Sequence, residues 1–307
     1  MSNLPTSIPE TLRFIEQRGI DWPRVRRMRY TCYQRFLYSY PGPIRNLRQT
    51  LMVVPVERYV DQELCEHRLA VTPHPGDVRH EVDRFGNRVC KLDIPWIDGQ
   101  IAFEVMIAVE RVAQGRCRSR VAAAEADYYL PATTLTASDD RIIAVARELM
   151  ASAHSQRELA EGISDWVAGA LRYGSGATGV TTTAAQALRV GTGLCQDYAH
   201  VMLAICRAAG LPARYVSGHM VAEGGSHAWV EVLLRSETHN HLEAVAFDPT
   251  NRRQPNLSYT TVAVGRDYRD VSPSSGHYTA PYSGRLSFNK RAGLTLLEFE
   301  DGEVVAS

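Results

Sequence analysis

The sequence has few cysteines, no excess of charge of either sign and no long apolar run. Its 307 residues include six cysteines, and no two of them form a C-x-x-C pair. Because zinc ribbons and thioredoxin-type redox sites use paired cysteines, we expect neither, and we assign no metal and no cofactor. Lys and Arg number 34, as do Asp and Glu. This balance argues against nucleic acid as a partner, since proteins that bind it usually carry a basic excess.

Membrane and export signals are also lacking. No stretch approaches the ~20 apolar residues that cross a bilayer, and residues 1–10 are too polar for the apolar centre of a signal peptide. We therefore expect no membrane partner and a location in the cytoplasm or an equivalent reducing space. The 45% hydrophobic and 22% charged residues are typical of a folded chain with a packed core.

Residues 1–27 are interpreted as an N-terminal extension, and residues 28–130 as a β-rich domain. Within the extension, residues 11–17 predict a short amphipathic helix that ends near Gly19. Alternating apolar segments at residues 30–40, 48–55 and 100–112 predict strands. Gly86 and Asn87 supply the turn of a hairpin between residues 78–83 and 88–92. Together these segments indicate a small β-sandwich-like domain.

Residues 131–140 form a predicted linker, and residues 141–307 a second domain of α+β class. Apolar residues at helical spacing predict helices over residues 141–150, 156–173, 183–189 and 195–209. Strands are predicted over residues 213–219, 227–234, 242–247, 259–264 and 293–299. Helices followed by an antiparallel meander are typical of an α+β domain.

Cys195 is the most informative residue, because glycines precede it and it opens a predicted helix. A thiol at that position faces unpaired backbone N–H groups and the positive end of the helix dipole. Both favour the thiolate, which is the nucleophilic form. The alternative is a buried and unreactive cysteine, and this segment alone leaves both open.

His227 and Asp248 complete a candidate constellation. His227 starts a predicted strand, where an imidazole is able to take the thiol proton and return it to a leaving amine. Asp248 ends the next strand, where a carboxylate orients an imidazole on its neighbour. Each residue taken alone also suits an ordinary structural role. The spacing allows His227 and Asp248 to stand on adjacent strands, with the helix N-terminus facing them.

Three segments resemble the catalytic boxes of the bacterial transglutaminase-like superfamily. They are Gly193-Leu-Cys195-Gln-Asp-Tyr-Ala-His, Ser226-His227-Ala-Trp-Val-Glu-Val and Phe247-Asp248-Pro-Thr-Asn. The segment at residues 264–273 and the β-rich region resemble the same family, so the resemblance covers roughly residues 28–300. It implies a papain-like, transglutaminase-like catalytic core preceded by the β-sandwich-like domain. It further implies Cys195 as nucleophile, His227 as base and Asp248 as the residue that orients the base.

Other residues of these boxes have less defined roles. The upstream tryptophan that helps stabilise the oxyanion in animal transglutaminases has no counterpart here, so the first oxyanion donor is the Cys195 N–H and the second is unassigned. Gln196 is a candidate for it only if its side chain turns back toward the site. Trp229 is a candidate to shield the catalytic pair from water or to line the acyl site, and core packing is an equal alternative. Asp197 and His200 are interpreted as structural residues. Arg266 and Asp267 are expected to form an internal ion pair.

The preferred function is that of a cysteine-dependent amide hydrolase, a peptidase or amidase that works through a thioester. By family analogy its substrate is a peptide or protein amide, and enzymes of a peptide-ligase pathway are candidate partners. Two alternatives remain open: a transglutaminase that transfers the acyl group to an amine, and a binding module that keeps the fold without turnover.

Overall fold

A computed structural model describes residues 12–74, 77–113, 119–221, 225–236 and 241–307. The strands before the helices are β1 (Val25–Ser39), β2 (Ile44–Leu51), β3 (Arg58–Tyr59), β4 (Gln62–Thr72), β5 (Val78–Val82), β6 (Arg88–Ile97), β7 (Gln100–Val112) and β8 (Ser119–Val121). The central segment contains α1 (Ala126–Tyr129), α2 (Asp140–Ser152), α3 (Gln156–Ala170), β9 (Arg172–Tyr173), α4 (Ala184–Val190), β10 (Thr192–Gly193) and α5 (Cys195–Ala208). The strands after it are β11 (Ala213–Met220), β12 (His227–Arg235), β13 (Leu242–Phe247), β14 (Tyr259–Gly265), β15 (Ser274–Thr279), β16 (Arg285–Phe299) and β17 (Val304–Ala306).

Two antiparallel sheets form the sandwich predicted for the first part of the chain. One has the strand order β17-β16-β1-β7-β4-β3, and the other has the order β15-β2-β6-β5. Phe36 and Ile107 from the larger sheet share a buried cluster with Leu47 and Leu92 from the smaller one. Alternate residues of each strand point into this cluster, which accounts for the apolar alternation in the sequence.

The sequence pattern does not predict that the chain returns to this sandwich after the α+β part. Strand β16 pairs with β1 over nearly its whole length, for example Gln34 with Lys290. The prediction that residues 293–299 end the α+β meander is therefore wrong. Apolar alternation identifies a strand but carries no information about its partner, which here lies roughly 250 residues away along the chain. The boundaries predicted at residues 27, 130 and 140 stay a prediction.

The short helix predicted at residues 11–17 is also wrong for the described residues 12–17, which are irregular. Position 11 lies outside the described residues. The backbone N–H of Ile15 donates to the carbonyl of Leu294 at 2.9 Å, and Arg291 donates to the carbonyl of Leu12 at 3.0 Å. A helix this short is not stable by itself. The packing of Ile15 on the core of the sandwich holds the segment along β16, so its backbone bonds to that strand instead of forming a helical turn.

The α+β part consists of helices packed on one face of a sheet with the strand order β14-β11-β12-β13-β8. Helix α5 lies at its centre and is buried along almost its whole length. Ala228, Val230 and Val232 of β12 share the core cluster of the helices, whereas Trp229 belongs to a cluster that does not include α5. Within the described ranges, no helix combines the length and the apolar character needed to cross a membrane.

The predicted helices form because their sequences carry start and stop signals. The Asp139 side chain accepts from the N–H of Ile142 at the start of α2, and Ser155 accepts from the N–H of Glu158 at the start of α3. Helix α4 begins with a capping box and ends at Gly191, whose φ of 70° suits glycine. These signals place the turn that leads into α5 and Cys195.

Candidate active site

The N-terminus of α5 is held by Asp197, so that Cys195 is fixed as the first residue of the helix. The Asp197 carboxylate accepts from the N–H of Leu194 at 2.8 Å and from the Thr178 hydroxyl at 2.7 Å. It is fully buried, and burial raises its pKa. Gly193 is required here, because a Cβ at this position would lie 2.7 Å from the Cβ of Asp197. The structural role predicted for Asp197 is therefore the one it fills.

Cys195 is half-buried and packs against the core cluster that contains Ala228, the neighbour of His227. The first amides of a helix have no intrahelical acceptor, so the N–H groups of Cys195 and Gln196 point out of the helix beside the thiol. The same core cluster also contains Tyr215 of β11, so Cys195 lies at the face of the sheet on which α5 packs.

His227 and Asp248 form a buried hydrogen-bonded pair. The imidazole Nε2 of His227 lies 2.8 Å from Oδ2 of Asp248, and the two side chains are 2% and 0% exposed. His227 is the first residue of β12, and Asp248 follows the last residue of β13, with which β12 is paired. The adjacent strands expected from the sequence therefore bring these two residues together. Since Nε2 faces Asp248, a proton exchanged with a nucleophile passes through Nδ1, the other ring nitrogen.

The Asp248 carboxylate accepts further hydrogen bonds that hold it ionised. Oδ2 also accepts from the Tyr259 hydroxyl at 2.6 Å and from the Asn251 side chain at 2.8 Å. Oδ1 accepts from the backbone N–H groups of Thr250 and Asn251. Burial by itself raises the pKa of Asp248, but the bonds from His227, Tyr259 and Asn251 outweigh it and hold the pKa below its usual value.

Sequence reasoning missed Tyr259 and Asn251 as parts of this site. Asn251 lies in the quoted box Phe247-Asp248-Pro-Thr-Asn, where an amide three residues after the carboxylate was a usable signal. The sequence pattern places Tyr259 only in a strand, and nothing in its local sequence distinguishes it from a core aromatic residue.

Trp229 covers the imidazole. It is 2% exposed, and its ring lies 6.2 Å from that of His227 at an angle of 27°. It also meets Tyr259 edge-on at 5.4 Å. The indole thus packs against one side of the pair. The side-chain amide of Gln196 donates to the carbonyl of Gly179 at 2.9 Å.

His200 and Arg266 hold the segment after β14. Nε2 of His200 accepts from the N–H of Tyr268 at 3.2 Å, and burial lowers the pKa of His200 to about 4. The expected ion pair of Arg266 with Asp267 is wrong, since Arg266 pairs with Asp270 at 2.8 Å. The Asp267 side chain instead accepts from the N–H of Arg269 and caps a single helical turn.

Two protein families match this chain. Residues 143–246 match the model of the Transglutaminase-like superfamily, and residues 30–110 match that of the Bacterial transglutaminase-like N-terminal region. The first range contains Cys195 and His227 and stops two residues before Asp248.

Relatives with similar sequences are uncharacterized proteins of mycobacteria. A protein of Mycobacterium leprae (strain TN) is 32% identical over 182 residues, which are 56% of this chain and 62% of that protein. The match thus spans about three fifths of that relative's length. A protein of Mycobacterium tuberculosis (strain ATCC 25618 / H37Rv) is 27% identical over 274 residues, which are 81% of this chain and 87% of that protein.

Among solved structures, a candidate cysteine protease from Cytophaga hutchinsonii has the same fold. The TM-score is 0.70 at 19% identity, covering 87% of this chain and 91% of that one. Its fold therefore extends over the sandwich as well as the helical core.

Proposed function

Because the chain belongs to the transglutaminase-like superfamily, we propose that it is a cysteine-dependent amide hydrolase with Cys195, His227 and Asp248 as its catalytic triad. The observation that carries the proposal is the buried pair of His227 and Asp248, bonded through Nε2. An imidazole held in this way presents Nδ1 to a thiol and is stabilised as imidazolium by the carboxylate. Asp248 accepts from four other groups besides His227, so it remains an anion throughout.

In the first step the Cys195 sulfur attacks the carbonyl carbon of an amide, and His227 receives the thiol proton. The C–N bond of the tetrahedral intermediate then breaks, a thioester remains on Cys195, and His227 gives its proton to the departing amine. In the second step water attacks the thioester carbon, and His227 takes a proton from the attacking water. The carboxylic acid leaves, and the proton returns to the Cys195 sulfur.

Three residues support these steps. The backbone N–H of Cys195 is the first oxyanion donor, at the positive end of α5. Gln196 remains our candidate for the second donor, since its bond to Gly179 uses only one of its two amide hydrogens. Trp229 excludes water from one side of the imidazole.

The first test measures the alkylation rate of each cysteine against pH by mass spectrometry. Thiolates in papain-type pairs titrate with pKa values of about 3–4, against about 8.5 for a free thiol. We expect Cys195 alone to react quickly below about pH 7, and His227→Gln to remove this advantage. Cys65 is the internal reference, because it is exposed to the reagent while partial desolvation and the charge of Glu110 raise the pKa of its thiol. Equal rates for Cys195 and Cys65 at pH 6 in wild type would refute the triad.

Product analysis then identifies the acceptor of the acyl group. A library of peptide and protein amides is incubated with the enzyme, with and without an added primary amine. Release of the acid in both cases supports hydrolysis, whereas incorporation of the amine in excess of the acid identifies a transferase. Cys195→Ser provides the inactive control. The cytoplasmic location and a partner among peptide ligases are part of the same proposal, and fractionation and affinity capture test them.

A further inference from the structure

Strand β14 is the outer strand of its sheet, and side chains of the sandwich cover its outer edge. The Gln62 side chain donates to the carbonyl of Thr261 and accepts from its N–H, both at 2.8 Å. Asn87 does the same with Val264, at 2.7 and 2.8 Å. Gln62 and Asn87 are 4% and 3% exposed. Each amide thus makes the pair of bonds that a residue of a neighbouring strand would make.

Arg111 extends this contact to the start of β14. Its Nη2 donates to both carboxylate oxygens of Asp61, at 2.7 and 2.9 Å. Its Nη1 donates to the carbonyl of Asn256 at 2.7 Å and to the carbonyl of Tyr259. The side chains of Arg111 and Asp61 are only 16% and 14% exposed. A guanidinium serves all these acceptors at once, because its donors point in several fixed directions in one plane.

Tyr259 connects this contact with the catalytic pair. Its backbone carbonyl is held by Arg111, and its hydroxyl donates to Asp248. Its ring packs 5.8 Å from the ring of His227 and is 1% exposed. A shift of the Tyr259 backbone is therefore transmitted to the oxygen of Asp248 that binds His227.

We propose that Arg111 is a positioning residue for the pair of His227 and Asp248, acting through Tyr259, so that the sandwich takes part in building the active site. This inference rests on the proposed function for its catalytic meaning. The effect of Arg111 on the hydrogen bond between His227 and Asp248 does not depend on that function and is tested separately.

The experiment compares Arg111→Gln with Arg29→Gln in the full-length chain. Arg29 is the matched control, since it also bonds a carboxylate of the sandwich, that of Glu110, on a surface of the larger sheet. The first readout is the NMR signal of the His227 Nε2 proton in protein labelled with 15N-histidine, assigned with His227→Gln. The second is the alkylation rate of Cys195 at pH 6. The urea midpoint of each variant shows whether it is folded.

We expect Arg111→Gln to shift or broaden the Nε2 proton signal and to lower the alkylation rate by between roughly tenfold and a hundredfold. Arg29→Gln should leave both as in wild type. Arg111→Lys should change the signal and the rate in the same way as Arg111→Gln. A compact ammonium lacks the planar fork of donors that joins the Asp61 carboxylate to the two carbonyls. The double variant Arg111→Gln, Tyr259→Phe should lower the alkylation rate little more than either single change. Both changes act through the hydrogen bond from Tyr259 to Asp248, so their effects should not add.

The outcomes separate the two proposals. An unchanged Nε2 signal in folded Arg111→Gln would overturn the positioning role, whatever the reactivity of Cys195. A changed signal in Arg111→Gln, together with a wild-type Cys195 that reacts like Cys65, would support the positioning role and refute the proposed function. Additive effects of Arg111→Gln and Tyr259→Phe would also overturn it, because independent paths add.

Discussion

Gly218 lies directly opposite His227 in the pairing of β11 with β12. A Cβ at this position would lie 2.6 Å from Cη2 of Trp229 and 2.1 Å from the carbonyl oxygen of Thr260. The absent side chain thus leaves the space in which the indole packs beside the imidazole. The glycine is a requirement of the site rather than of a turn.

Gly218→Ala should therefore destabilise the protein strongly. The new methyl group meets backbone on one side and a buried ring on the other, so we expect a loss of roughly 3 kcal/mol in the free energy of unfolding. Urea denaturation measures it. Gly162→Ala is the control in helix α3, where a Cβ meets only Leu149 at 3.9 Å. This change should stabilise by about 0.5–1 kcal/mol. Equal effects of the two would contradict the packing argument.

Asp248→Asn should preserve the fold and impair catalysis. The amide is nearly isosteric, but it has no charge to stabilise the imidazolium and is able to force the wrong tautomer on His227. We expect kcat to fall by roughly 10²–10⁴, with a smaller change in KM. Stopped assays on the substrate found in the product analysis measure this. A variant with wild-type kcat would exclude Asp248 from the triad.

Buried His200 should make the protein less stable at mildly acidic pH. Its pKa is lowered by burial to about 4 in the folded state, so the unfolded chain binds a proton at a pH where the folded one does not. Stability is therefore complete above the ordinary histidine value of about 6.5 and falls as the pH drops from there towards 4. Between pH 7 and pH 5 this residue accounts for a loss of about 2 kcal/mol.

His200→Gln should remove that part of the loss, since the glutamine oxygen is able to accept from the N–H of Tyr268 without titrating. Urea unfolding at pH 7 and pH 5 gives the comparison with wild type. His277→Gln, on exposed strand β15, serves as the control and should keep the wild-type difference. If His200→Gln loses as much stability as wild type, the imidazole is not held neutral.

Arg207 should be needed for the packing of α5. It is 7% exposed and donates to the carbonyls of Tyr129, Ala213 and Arg266 and to the Thr136 hydroxyl. Arg207→Met leaves these acceptors buried without donors, and we expect a loss of about 3–5 kcal/mol in thermal or urea unfolding. Arg189→Met, at an exposed position, should change stability by less than about 0.5 kcal/mol. Similar losses for both would rule out the network.

The sequence predicted those features that depend on near neighbours. Helices α2 to α5 and strands β11 to β14 were identified because periodicity and caps such as Thr183 act within a few residues. The adjacency of His227 and Asp248 followed from one hairpin. The irregular residues 12–17 and the partner of β16 were not predictable in this way. Both depend on where distant chain segments pack, and a local pattern does not encode that.

The same limit applies to the site. Cys195, His227 and Asp248 were found because each lies in a segment with its own pattern. Tyr259 and Arg111 were not, since a tyrosine at the start of a strand and an arginine at the end of another have many uses. Their role depends on the contact between the sandwich and β14, which joins positions about 150 residues apart.

The pairing of β1 with β16 determines the order in which the protein is able to mature on the ribosome. Roughly 250 residues separate the two strands, and at 5–20 residues per second the second emerges some tens of seconds after the first. In that interval β1 has an open edge, and the helices around α5 are already available to fold. The sandwich that covers β14 is therefore completed last, so newly made chains pass through a stage in which Cys195 is present but its surroundings are unfinished.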